Sequence, residues 1–185
     1  ETMEKKYTEK ERQLDVFAEV DVLVVGGGPS GVSAAVGAAR AGANTMIVES
    51  LGSFGGMWTN GLVITLAGFN SWLKPFRRCV NGVTGEWLRR ATAMNGAEDN
   101  RGWALNSDPE VMKLVADEML LEVGVTCLLH TWMADVIMDG SDVKGVLVEN
   151  VDGRRAIFAR VVVDCTGNGD VFARAGAAYH LSEQL

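Results

Sequence analysis

Residues 21–49 read DVLVVGGGPSGVSAAVGAARAGANTMIVE. The run Val22-Leu23-Val24-Val25 has the composition of a strand buried on both faces. Gly26-Gly27-Gly28-Pro29-Ser30-Gly31 follows without a gap and carries the G-x-G-x-x-G spacing. Val32, Ala35, Val36 and Ala39 then recur at helical intervals, and Gly42 is placed to end the helix. Thr45-Met46-Ile47-Val48 reads as a second strand, closed by Glu49. Strand, glycine turn, helix, strand and terminal acid in this order predict a dinucleotide-binding βαβ unit.

Each residue type has a task in such a unit. Gly26 permits the tight turn out of the strand, Gly28 lets a pyrophosphate approach the backbone, and Gly31 lets the helix pack close to the sheet. The helix start is an anion site, because its first N–H groups lack intrahelical acceptors and sit at the positive end of the dipole. Pro29 suits a first turn, where its missing N–H costs nothing. Glu49 can accept hydrogen bonds from ribose hydroxyls and would repel a 2′-phosphate, which favours FAD or NAD over NADP.

The 185 residues, 48% of them hydrophobic, suffice for one well-buried domain. A net charge of −7 argues against a nucleic-acid partner, and Lys74, Arg77, Arg78, Arg89 and Arg90 read as solvated exceptions. No apolar run reaches the roughly 18–20 residues of a membrane span, and residues 1–19 lack the apolar centre of a signal peptide. A cytoplasmic protein is the expectation. Cys79, Cys127 and Cys165 form no C-x-x-C pair and His130 and His180 are the only imidazoles, so no metal site and no disulfide are expected.

Residues 1–20, with alternating charges and few apolar anchors, read as a short helix or loose arm, and 21–185 as the domain proper. Residues 51–106 form a glycine- and tryptophan-rich insertion with one clear helix at 84–95, whose Trp87, Leu88, Ala91 and Met94 share a face. Ser107-Asp108-Pro109-Glu110 reads as a capping box opening a helix to Glu122, with Val111, Leu114, Val115 and Leu121 on its buried side. A strand is expected at 125–130. A three-stranded meander follows within 133–160, with strands at 134–138, 143–150 and 154–158 separated by Asp139-Gly140 and Asp152-Gly153. A further buried strand, 161–165, leads into Thr166-Gly167-Asn168-Gly169-Asp170. The fold class is therefore α/β, a Rossmann-like domain with parallel strands 22–25, 45–49, 125–130 and 161–165 and an antiparallel meander laid across one side.

This order of elements resembles the FAD-binding domain of glutathione-reductase-like flavoproteins, and within them the FAD-dependent oxidoreductases. The resemblance covers residues 21–180 and is carried by the glycine turn, Glu49, Gly55-Gly56-Met57-Trp58-Thr59 and the stretch from Val163 to Asp170. It implies FAD as cofactor. The pyrophosphate would lie on Gly26, Gly28, Pro29, Ser30 and Gly31, and the adenosine ribose on Glu49 with Ser50 beside it. Gly55, Gly56, Met57 and Thr59 would lead toward the flavin, Met133 would contact the adenine, and Thr166, Gly167 and Asp170 would pass the cofactor a second time. Trp58 is open between packing and substrate contact.

The resemblance also implies redox chemistry on a small organic substrate, with the flavin carrying the reaction and no catalytic side chain declared. A non-catalytic dinucleotide-binding subunit of a larger complex is the alternative, and an NAD-dependent dehydrogenase a third. Chains of this family continue past the Thr-Gly turn into a substrate region and a returning segment. A partner chain or further region is accordingly expected to complete the site, covering Phe54, Trp58, Phe69 and Trp72.

Overall fold

The computed structural model describes residues 7–98 and 104–180. Residues 1–6 of the expected arm, 99–103 of the insertion and 181–185 lie outside the described residues. Six strands form one sheet in the order β5-β2-β1-β8-β7-β6. These are β1 (Val16–Val25), β2 (Thr45–Val48), β5 (Thr126–Leu128), β6 (Trp132–Asp139), β7 (Asp142–Asn150) and β8 (Gly153–Asp164). β5, β2, β1 and β8 run parallel, while β7 and β6 continue from β8 in antiparallel steps.

Helix α1 (Pro29–Arg40) makes the crossover from β1 to β2, and α2 (Gly82–Ala93) and α3 (Pro109–Glu122) pack beside it. Alternation along the central strands divides two cores. Val24 and Ile47 face the helices with Val32, Val36, Trp87, Met112 and Met119, whereas Leu23, Val25, Met46 and Val48 face the other way, against Val146, Val148 and Ile157. Because both faces are covered, the strands read as unbroken apolar runs.

Several expectations change. β1 starts at Val16, inside the stretch read as an arm, because residues 16–19 pair with Ala156, Ile157 and Phe158 of β8. Val16 and Phe17 stay half exposed there, and the Arg155 guanidinium sits 4.5 Å from the Phe17 ring. Strands 154–158 and 161–165 are one strand, β8, whose first part belongs to the meander and whose last part completes the parallel sheet. The meander is thus hydrogen-bonded into the main sheet, and its inner residues also close the second core.

Helix α3 carries apolar residues on more than one face, and the face it buries is Met112, Val115, Ala116, Met119 and Leu120, with Leu114 and Leu121 exposed. Its cap is Asp108, which accepts from the Glu110 N–H at 2.8 Å, while the Ser107 hydroxyl donates to Ile64 O. The insertion is more regular than its composition implies. It contains a 3-10 turn (Gly56–Trp58) and an antiparallel ribbon of β3 (Thr65–Ala67) with β4 (Ala104–Asn106), which buries Leu66 against Leu105.

Two contacts fix the helical layer. The buried Trp87 indole donates to Met112 O at 3.0 Å, pinning α2 to α3. Glu86 accepts from Arg40 of α1 and from Arg90, which also grips Glu122 of α3. The Arg40 guanidinium pulls the Glu86 carboxyl down to about 2, aided by Arg90 and opposed by partial burial. Trp87→Phe keeps most of the volume but loses the indole hydrogen bond. It should destabilise the domain by about 1–3 kcal/mol, read as a lower urea midpoint at unchanged slope.

Candidate functional site

A cleft of about 780 Å³ opens at the carboxyl ends of β1, β2 and β8, where ligands bind in open α/β sheets. Its floor is the glycine turn, held between two strands. Gly26 N donates to Val48 O at 2.8 Å, and Cys165 N donates to Val25 O at 2.7 Å. Gly26 has φ +99°, and a Cβ there would strike the backbone of Cys165. At Gly31 a Cβ would strike the Gly26 carbonyl.

Gly28 differs. Its φ is −70°, open to any residue, and the nearest atom to a Cβ built there is Gly56 Cα at 4.0 Å. Nothing in the fold excludes a side chain at Gly28, yet one would stand in the cleft above the start of α1. The missing Cβ therefore fits a ligand group that lies against the backbone, as a pyrophosphate does.

Glu49 is buried beneath this turn. Its Oε2 accepts from Gly27 N at 2.6 Å, and its Oε1 accepts from the Ser50 hydroxyl at 3.0 Å and Leu51 N at 2.8 Å. A carboxylate has about four acceptor positions. Three are used, and the remaining one on Oε2 suits a ribose hydroxyl.

Of the residues expected to bind the cofactor, the structure brings Gly26, Gly28, Pro29, Ser30, Glu49, Ser50, Gly56, Met57, Met133, Thr166, Gly167 and Asp170 to the lining of this one cleft. Gly31, Gly55 and Thr59 stand behind it. Thr59 is buried and donates to Phe54 O at 2.8 Å, and a Cβ on Gly55 would meet the Thr59 side chain, so both shape the loop that carries Gly56. Trp58 turns into the first core, 5.5 Å from the Trp87 ring and 5.7 Å from Phe69. Phe54 and Phe69 are also buried, which leaves only Trp72 exposed among the four aromatics expected at an interface.

Asn60, Gly61 and Trp132 join the lining without having been singled out. Asn60 owes its place to a fold-back, since its amide donates to Ser53 O at 2.9 Å and accepts from the Ser53 hydroxyl at 3.0 Å. No motif announces that pairing. His130 is exposed, takes φ +49° and donates its backbone N–H to Leu51 O, so its role here is that of a turn residue.

The second pass is set by Asp164 at the end of β8. Its Oδ1 accepts from Thr166 N and from the Thr166 hydroxyl, and its Oδ2 accepts from Phe172 N. The Thr166 hydroxyl in turn accepts from Asp170 N at 2.8 Å, at the first residue of α4 (Asp170–Arg174). Burial raises the Asp164 carboxyl, but these hydrogen bonds outweigh it and leave the group below its ordinary value. Burial also pushes the Cys165 thiol up, against a hydrogen bond from Ser30. Among the described residues no group of three or more His, Cys, Asp or Glu is arranged to hold a metal, and no helix is long and apolar enough to cross a membrane.

Residues 21–184 match the model of the family described as FAD dependent oxidoreductase. The chain belongs to the FAD dependent oxidoreductase family. Membership makes FAD its cofactor and places it with flavin-dependent enzymes. Among curated relatives it is 28% identical over 159 residues to a thiamine thiazole synthase of Methanococcus vannielii, covering 81% of this chain and 57% of that protein. It is 29% identical over 175 residues to the thiamine thiazole synthase of Saccharolobus islandicus, covering 88% and 61%. The chain thus spans about three fifths of the length of the curated relatives it matches.

Among the solved structures that share the fold are two of known source. One is THI4 of Thermovibrio ammonificans, with a TM-score of 0.60, 22% identity and coverage of 84% of this chain and 61% of that one. The other is a geranylgeranyl bacteriochlorophyll reductase-like protein of Thermoplasma acidophilum, with a TM-score of 0.60, 17% identity and coverage of 86% and 42%.

Two outcomes are expected of the site's carboxylates. Glu49→Gln turns an N–H₂ group toward backbone donors, so it should lower the urea midpoint and weaken FAD binding together, each by about 1–3 kcal/mol. For Asp164, a folded value below the unfolded one of about 3.9 means its stabilisation is present above that pH and is lost as the pH falls through the folded value. The gap in urea midpoint between the natural chain and Asp164→Asn should accordingly be widest near neutral pH and close below about pH 4.

Proposed function

We propose that the chain binds FAD extended along the cleft and is the cofactor-binding part of an oxidoreductase that moves a hydride or electrons to or from a small organic substrate. Gly28 is the observation that carries this reading, a glycine with ordinary φ and open space around it whose side chain is excluded only if a ligand lies there. The first-turn amides of α1 would face the pyrophosphate, with Pro29 contributing no competing donor. Glu49 would accept a ribose hydroxyl at its remaining position. The far end of the cleft, at Gly56, Met57 and Thr166–Asp170, would take the flavin half.

When bound, FAD supplies the electron-accepting chemistry. The residues of this chain bind, orient and keep water out. Of the titratable side chains lining the cleft, Glu49 is committed to backbone amides and Cys165 is held as a thiol, which leaves Asp170 beside the flavin end. We further propose that a partner chain or additional region completes the substrate pocket there. Met57 lines that end and is exposed, and the exposed apolar residues Leu62, Val63 and Ile64 follow it in the chain, Val63 N donating to Met57 O at 2.9 Å, which supports this reading. A cytoplasmic location belongs to the same proposal and is supported by three free cysteines, the exposed Cys79 among them.

The test is Gly28→Val. The natural chain should purify with flavin absorbance near about 370 and 450 nm, and the variant should lose it while keeping its far-ultraviolet circular dichroism. A variant that stays yellow puts the pyrophosphate elsewhere.

A further inference from the structure

We propose that the indole of Trp132 is the platform on which the adenine ring of the bound nucleotide stacks. The inference rests on the FAD reading above and adds to it a binding residue from this chain. The two ends of the cleft differ in chemistry. Beyond Gly28 the lining is Gly56, Met57, Asn60 and Gly61, whereas past Glu49 it is Leu51, Thr131, Trp132 and Met133. A ribose held by Glu49 carries its base one bond away, on the side opposite the phosphates, so the base comes to the Trp132 end.

The backbone there is tied directly to Glu49. Glu49 N donates to Leu128 O at 2.9 Å, and Thr131 N donates to Glu49 O at 3.0 Å. Thr131 is itself buried, its hydroxyl donating to Leu129 O at 2.9 Å and accepting from Asn150 at 3.1 Å. Trp132 follows as the first residue of β6, paired with Glu149 of β7. Side chains alternate along a strand, so Met133 packs into the second core while Trp132 stays outside it, 64% exposed.

Among the described residues, Trp132 is the one aromatic in the cleft lining. Exposing so large a ring forgoes the stabilisation of burying it. An exposed ring on an anchored backbone, next to a ribose-binding carboxylate, presents a flat face to a purine. Base stacking on an aromatic ring is tolerant of which ring is used, so phenylalanine should serve nearly as well.

The experiment is calorimetric titration of FAD, and separately of ADP, into the natural chain, Trp132→Ala and Trp132→Phe. Trp132→Ala should weaken FAD and ADP by the same factor, about 5- to 100-fold, and Trp132→Phe should restore both to within a few-fold. ADP carries the adenine without the flavin, so a loss for FAD with unchanged ADP affinity would overturn the assignment. Natural affinity in Trp132→Ala, or a Phe variant as weak as the Ala variant, would overturn it too. A natural chain that binds neither nucleotide would overturn the FAD reading itself.

Discussion

The carboxylate of Glu49 is the constraint on which the site depends. From the end of β2 it holds the amide of Gly27 at 2.6 Å and that of Leu51 at 2.8 Å, while its residue's backbone binds Leu128 at the end of β5 and Thr131 just beyond it. Three chain segments from distant parts of the sequence therefore meet at one buried charge. Buried charge is expensive unless hydrogen-bonded, and here two backbone amides and the Ser50 hydroxyl donate to it. The same contact that satisfies the charge sets the height of the glycine turn over the cleft.

The opposite wall is built by the same means. Asp164 at the end of β8 fixes the Thr166 turn and the start of α4 through three hydrogen bonds. Parallel strands end at their C-termini with unpaired backbone groups, and an acid at each of two strand ends collects them. Cleft shape thus follows from where the sheet stops, and the lining glycines then decide how near a ligand can come.

Much of this was legible in the chain because each signal was local. The glycine spacing after an apolar run, and the acid closing the second strand, needed no tertiary information, and twelve of the fifteen cofactor residues named from sequence line the cleft. What was not legible depended on partners far away. The first half of β1 looks like an arm because its stabilisation comes from β8, and α3 offers apolar residues on more than one face, so its pattern could not choose between Leu114 and Met112. Trp58 and Phe54 could be assigned to the core only once Trp87 and Phe69 were in place around them. Gly55 and Thr59 belong to the loop that carries Gly56 and stand behind the cleft, a placement that depends on how the loop folds back on itself.

The pairing of β1 with β8 also bears on how the chain is made. Val22 lies beside Val161, so the central strand of the sheet must wait for some 140 further residues before its second neighbour exists. At ribosomal rates of roughly 5–20 residues per second that interval is on the order of ten seconds. During it, the βαβ unit can form with β2 while one edge of β1, apolar and unpaired, stays open to other chains. Such separation also slows folding after release, because the entropy of closing so long a loop is spent before the contact is gained. Until β8 has been made, that edge is the part of the domain most open to pairing with another chain.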